Sequence, residues 1–311
     1  MEDLSEYMTY YILRISTHFL SFIPLPIGRF IGIVFGRSIK FMNIKRFQIS
    51  LNNMRQCSLY RYGDKVIKKI DAKVFEHFGQ MFFELPHIFR IDQNNLFNYV
   101  NFEGEENMYR ALSRGKGVFL LSAHLGNWEM MASAIPLRFG PTAVIASHVR
   151  YPPLSRFMSE LRSRFGMQII PKLNGMRKII AALKQKKIIG VLLDQNEHRD
   201  KSHFVEFLGR KASVNSALAH VALKLDIPVV PAFCTRQKDG MYKVNIMEAV
   251  KLIRTGNMAE DIESNTALFT SIIEKQVLEY PEQWLWFHGR WKTRPKNQVA
   301  LKEKLNADSF C

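Results

Sequence analysis

His124 and Glu129 are the only titratable residues in GVFLLSAHLGNWEMMASAI, residues 117–135, and they stand five positions apart. A neutral imidazole takes a proton from an alcohol when a carboxylate holds its other ring nitrogen. The carboxylate fixes the tautomer and stabilises the imidazolium that forms. This spacing nominates His124 as a general base and Glu129 as its orienting partner. HxxxxE alone is a common pattern, and a pair that caps a helix or satisfies a buried site would read the same way. The flanks say more. Val118–Leu121 is an apolar run with the length of a buried strand, and 127–135 begins a helical pattern. His124 therefore falls at a strand-to-helix turn, where α/β folds commonly present side chains to a cleft.

The elements needed to hold such a turn recur along the chain. Strands are expected at Val118–Ser122, Thr142–Ala146, Met167–Ile170, Ile188–Leu193, Val229–Thr235 and Tyr242–Met247. Helical patterns lie near 127–138, 154–165, 174–187, 214–226 and 260–279. The alternation predicts an α/β fold, a layered mixed sheet flanked by helices. Residues 45–98 read as helical, with Val74, Phe75, Phe78, Met81, Phe82 and Leu85 in one apolar stripe. Core packing accounts for that stripe, and a wall for an acyl chain is the alternative. His77 and His87 are read as structural or surface residues. Asp194 follows the apolar strand 188–193, so its side chain can reach the sheet edge that carries His124. Asp194, His198 and His203 stand at i, i+4 and i+9, a spacing that fits no closed metal site. Neither a metal nor a cofactor is expected.

Charge and composition narrow the partners. Lys and Arg outnumber Asp and Glu by 44 to 28, a net charge of +16, which favours nucleic acid, an anionic membrane surface or a phosphorylated lipid. Three scattered cysteines, Cys57, Cys234 and Cys311, support neither a disulfide framework nor a zinc site. No helix-turn-helix, zinc-finger or RNP pattern accompanies the charge, which is spread along the chain. The N-terminal stretch YMTYYILRISTHFLSFIPLPIGRFIGIVFGRSIKF is aromatic and branched, yet Arg14, Pro24, Pro26, Arg29 and Arg37 interrupt it. Its longest uncharged run is too short and proline-broken for a span of about 20 residues. Residues 1–44 are therefore expected to form an apolar, membrane-associating helical segment ahead of a domain at 45–311. Gly28, Gly32 and Gly36 recur every fourth residue and give that segment a flat face for close helix packing.

Four blocks together resemble the bacterial lipid A late acyltransferases of the lysophospholipid acyltransferase superfamily. They are LLSAHLGNWE, LLDQNEHRDKSHFVEFLGRKASV (192–214), IPVVPAFCTR (227–236) and YPEQWLWFHGRWKTRP (280–295). The first carries the family's H-x4-D/E signature, and the four occur in the family's order over nearly the whole chain. The resemblance implies transfer of a fatty acyl group from a thioester to a hydroxyl of a membrane glycolipid, with a lipid A precursor as leading acceptor. It implies acyl carrier protein or acyl-CoA as donor, an anionic membrane surface as partner and no nucleic acid. The location it implies is the cytoplasmic face of the inner membrane, peripheral or single-pass. His124 would be the base and Glu129 its carboxylate, with no side-chain nucleophile, in keeping with the absence of a GxSxG elbow.

Other candidates follow from the same likeness. The family usually has an arginine in R-P-L-x-N-P, where this chain reads SHVRYPPL; Arg150 is the candidate for a phosphate or oxyanion contact. Asp194, Glu206 and Arg210 are candidate substrate-binding or wall residues, with Arg210 placed to meet phosphate. Trp284, Trp286 and Trp291, alternating with His288, Arg290 and Lys292, suit a headgroup boundary or packing against the sheet. A different acyl acceptor, or hydrolysis by the same His–Glu pair as a thioesterase or lipid hydrolase, is the standing alternative.

Overall fold

The computed structural model describes residues 4–42, 44–147 and 151–295. Four helices precede the sheet: α1 (Leu4–Leu20), α2 (Leu25–Met42), α3 (Ile44–Arg55) and α4 (Asp64–Ile88). The chain then alternates through β1 (Val100–Glu103), α5 (Glu105–Leu112), β2 (Val118–Ser122), α6 (Trp128–Phe139), β3 (Thr142–Ala146), α7 (Pro152–Ser163), β4 (Gln168–Pro171), α8 (Met176–Lys184) and β5 (Ile188–Leu192). It continues with β6 (Ser202–Phe207), β7 (Arg210–Asn215), α9 (Ala217–Leu225), β8 (Val229–Arg236), β9 (Tyr242–Ile246) and α10 (Met258–Glu279).

Seven of these strands form one mixed sheet in the order β1-β9-β8-β2-β5-β3-β4. The β8–β9 pair is antiparallel, and the other neighbours are parallel. Strand residues alternate between two apolar layers, because successive side chains point to opposite faces. Phe119 and Leu121 join one core cluster, while Val118 and Leu120 join the other. All six expected strands are present, each end displaced by no more than one residue. Three features go beyond the expectation: β1, the helix α5 that follows it, and the separate antiparallel hairpin of β6 and β7. That hairpin turns on Leu208 and Gly209, both at positive φ (53° and 77°). Asn-Gly or Asp-Gly would have announced such a turn; Leu-Gly does not.

The glycine-spaced face of α2 packs on α4. A Cβ at Gly32 would stand 2.6 Å from the Gln80 Cα and 2.7 Å from the Gly79 carbonyl, and one at Gly36 would collide with the Phe75 carbonyl. A buried charge network fastens the same pair of helices to the sheet. Glu84 of α4 accepts from Arg29 Nε of α2 (2.6 Å), Arg236 Nη2 of β8 (2.9 Å) and the Tyr242 hydroxyl of β9 (2.5 Å). Gly32→Ala is expected to cost about 1–3 kcal/mol through overpacking. Gly28→Ala meets nothing nearer than 3.8 Å, so it should be neutral or gain up to about 1 kcal/mol of helix propensity. Thermal denaturation of the two variants checks the contrast, and equal behaviour would count against close packing at Gly32.

The opposite side of these helices is open. Met8, Ile12, Ile15 and Phe19 of α1, with Ile27, Phe30 and Val34 of α2, are exposed. No helix among the described residues is long and apolar enough to cross a membrane. The terminal tryptophans, by contrast, do not occupy a headgroup boundary. Trp284, Trp286 and Trp291 are buried in the core, together with Arg290. Their spacing comes from a tightly turned segment rather than an amphipathic one, and Trp284 packs edge-on against Trp286 at 4.6 Å.

Candidate active site

Strand register brings His124 and Asp194 together. β2 and β5 are parallel neighbours with Ser122 opposite Leu192, and His124 and Asp194 each lie two residues beyond that matched end. His124 Nδ1 is 2.8 Å from Asp194 Oδ1. Asp194 Oδ2 accepts the His124 backbone N–H at 2.9 Å and the Trp284 indole N–H at 2.8 Å. An ionised carboxylate can only accept, so Nδ1 carries a proton, and in the neutral ring Nε2 keeps the lone pair. Gln195 Nε2 lies 3.3 Å from that nitrogen. The Asp194 side chain is 2% exposed and the His124 side chain 17%. Burial acts to raise the Asp194 pKa. The His124 ring, the Trp284 N–H and the His124 backbone N–H more than offset it and hold the carboxyl at about 2.

Glu129 takes a different partner from the one its spacing suggests. Among the described residues it makes no bond to His124. Its carboxylate receives Arg162 of α7, with Nη2 at 2.5 Å from Oε1 and Nε at 3.1 Å from Oε2, and the Trp128 indole N–H at 3.1 Å. The reason is helical geometry: position 129 is the second residue of α6 and faces α7, while His124 faces β5. Asp194 replaces Glu129 as the carboxylate on the imidazole. Trp128 joins the two pairs, its ring lying edge-on to His124 at 5.0 Å.

The turn that carries His124 is held from several sides. Gly126 sits at φ 61°, where a side chain would be strained and would also collide with the Cys234 carbonyl. Its N–H bonds the Gln283 carbonyl, the Asn127 N–H bonds the Cys234 carbonyl, and the Leu285 N–H bonds the His124 carbonyl. Buried His77 contacts the Gly126 carbonyl at 3.2 Å; burial, with Arg236 nearby, pulls its pKa down to about 3. A neutral ring there donates to the carbonyl, a structural role. The terminal block thus braces the turn that carries His124 and supplies Trp284 to Asp194. Arg290, fully buried, gives Nη1 to the carbonyls of Gln195 (3.2 Å) and Ser213 (2.7 Å). Burial lowers its pKa to about 10, against the opposing pull of Asp194.

The remaining candidates separate. Arg150 lies outside the described residues. Glu206 is exposed on β6, because its neighbours Val205 and Phe207 take the core face of the strand. Arg210, the first residue of β7, stacks on Trp291, 5.0 Å from the ring centroid. Neither lines the cavity beside His124. Among the described residues no group of three His, Cys, Asp or Glu side chains could hold a metal ion. Arg162, Gln195 and Trp284 enter the site unannounced; the only signal for Trp284 was its place in a motif block.

A cavity of about 810 Å³ opens from this cluster. Its polar lining includes His124, Trp128, Arg162, Lys172, Gln195, Glu197, Asn215 and His220, and Phe119, Ile145, Ile179, Leu193, Leu218 and Val221 are among its apolar lining. Such a space accepts a ligand with a polar head and a long apolar part. It places His124, contacted at Nε2 by Gln195, in the same cavity as the Arg162 guanidinium that Glu129 holds.

The family model described as "Bacterial lipid A biosynthesis acyltransferase" matches residues 2–293. The lipid A biosynthesis palmitoleoyltransferase of Escherichia coli (strain K12) is 24% identical over 281 residues, 90% of this chain and 89% of that protein. The phosphatidylinositol mannoside acyltransferase of Mycolicibacterium smegmatis is 22% identical over 212 residues, 67% of each chain. Among solved structures, the 1-acyl-sn-glycerophosphate acyltransferase PlsC of Thermotoga maritima aligns with a TM-score of 0.38 and 16% identity, over 79% of this chain and 99% of that one.

Proposed function

Because this chain belongs to the bacterial lipid A biosynthesis acyltransferase family, we propose that it moves a fatty acyl chain from an acyl thioester to a hydroxyl of a membrane glycolipid. A lipid A precursor is the leading acceptor, and acyl carrier protein or acyl-CoA the donor. One observation carries the reading: His124 lines the large cavity while Asp194 holds its Nδ1, an arrangement that in the neutral ring leaves the lone pair on Nε2.

In this mechanism the acceptor hydroxyl gives its proton to His124 Nε2 as its oxygen forms a bond to the thioester carbonyl carbon. Asp194, ionised and buried, stabilises the imidazolium. The tetrahedral intermediate then collapses, the carbon–sulfur bond breaks, and the imidazolium returns its proton to the departing thiolate. No covalent acyl-enzyme is required. Fixing hydroxyl, carbonyl and base together supplies much of the rate. The apolar wall excludes the water that would otherwise compete as nucleophile.

The open apolar side of α1 and α2 supports docking on a membrane interface. The +16 charge supports an anionic surface and an acidic or phosphorylated donor. The test follows free thiol and acylated lipid together, with and without a lipid A precursor. Thiol release should depend on the acceptor and match acylated product in amount. Rapid release that ignores every acceptor and yields only free fatty acid would make the protein a thioesterase.

A further inference from the structure

Gly190 occupies the middle of β5, paired on both sides to β2 and β3, where a glycine weakens a strand and packs nothing. Two ordinary reasons for a strand glycine fail here. Its φ is not positive, and a Cβ built on it would meet nothing nearer than the Ala143 carbonyl at 3.8 Å. An alanine would fit.

What the missing side chain leaves open is a second cavity, of about 50 Å³, between the sheet and α6. Leu120 and Val144 flank Gly190 in register on the same face. Ala132, Ile135 and Met167 line the same space. Gly190, Val191 and Leu192 are only half-buried although β5 has a strand on each side. The walls are apolar apart from Ser122, Thr142 and the Glu129–Arg162 pair. This space adjoins the large cavity, for Trp128, Val144, Arg162, Val191 and Leu192 line both. It lies on the α6 face of the sheet, across from the apolar wall of Phe119, Leu193, Leu218 and Val221, and meets the chamber that holds His124 at those shared residues.

We propose that Gly190 sets the length of the acyl chain this protein transfers, by leaving room for the methyl end of the chain beneath Arg162. The inference rests on the acyl-transfer reading and adds a specificity determinant to it. A side chain at 190 shortens the chamber without touching His124 or Asp194. Its effect falls on the longest donors, because their last methylenes lose an apolar site.

The experiment measures kcat/KM for an even-carbon ladder of saturated acyl-thioester donors with the wild type, Gly190→Ala and Gly190→Val. The ratio of long to short donors should fall about fourfold for each methylene that no longer fits, and valine should move the optimum further than alanine. Ala132→Leu fills the same space from α6 and should shift the preference in the same direction, so the test survives misfolding of a strand variant. Val144→Ala enlarges the space and should favour longer chains. Equal losses on every donor, or an unchanged ratio in folded variants, overturn the proposal. A wild type that transfers no chain of any length removes the acyl-transfer reading and this proposal with it. Transfer with a chain preference indifferent to these positions removes only the role of Gly190.

Discussion

His124→Ala is expected to lose acyl transfer by about 10²- to 10⁴-fold, the range that follows loss of a positioned general base. Three titratable neighbours are otherwise engaged. Asp194 is buried and has its two oxygens committed to the His124 and Trp284 donors. Glu129 is held by Arg162. His288 Nε2 already accepts the Asn196 N–H, and burial, despite the pull of Asp194, keeps its pKa below the ordinary histidine value. The fold should persist, since the turn is held by backbone bonds from Gln283, Cys234 and Leu285 that the substitution leaves intact. Circular dichroism would establish folding, and mass spectrometry of the lipid product would measure the loss. Near-wild-type transfer by a folded His124→Ala protein would sink the mechanism.

How far this site could be read in advance depended on the range of the interaction concerned. The strand 118–122 and the turn at His124 declare themselves locally, through an apolar run ending where a helical pattern begins. The glycine face of α2 was legible for the same reason, since a four-residue repeat encodes its own geometry; which helix it would meet was not. The His124–Asp194 pair spans 70 positions and depends on β5 lying beside β2, with β3 and β4 displaced outward. A strand list contains no neighbour order. Asp194 was therefore expected at the right sheet edge without a partner, while Glu129, near in sequence, was given the role. The local separation misled because a side chain at the start of α6 faces α7. The terminal tryptophans left two readings open, a headgroup boundary and packing against the sheet, and it is the packing that the structure shows. Alternation with basic residues mimics a membrane boundary, but a segment that turns back on itself can bury all three and still present Trp284 to a carboxylate.

Those two carboxylates give the sharper prediction. In the wild type, Asp194 Oδ2 receives two donors, the His124 backbone N–H and the Trp284 indole, while Oδ1 faces Nδ1. In Asp194→Asn, those two donors demand the amide oxygen at the δ2 position. The amide NH2 is then forced toward Nδ1, where it donates a hydrogen bond. The imidazole must answer by moving its proton to Nε2, and the ring loses the lone pair that should receive the acceptor's proton. Geometry is kept while the tautomer is reversed, a change that costs a comparable His–Asp system about 10⁴-fold. Glu129→Gln acts elsewhere. It removes the charge that holds Arg162 and lowers activity through that guanidinium, leaving the imidazole tautomer as it was. Nitrogen-15 NMR of the His124 ring separates the two cases: the protonated nitrogen should change from Nδ1 to Nε2 in Asp194→Asn and stay at Nδ1 in Glu129→Gln. A tautomer that reverses in Glu129→Gln and holds in Asp194→Asn would return the orienting role to Glu129.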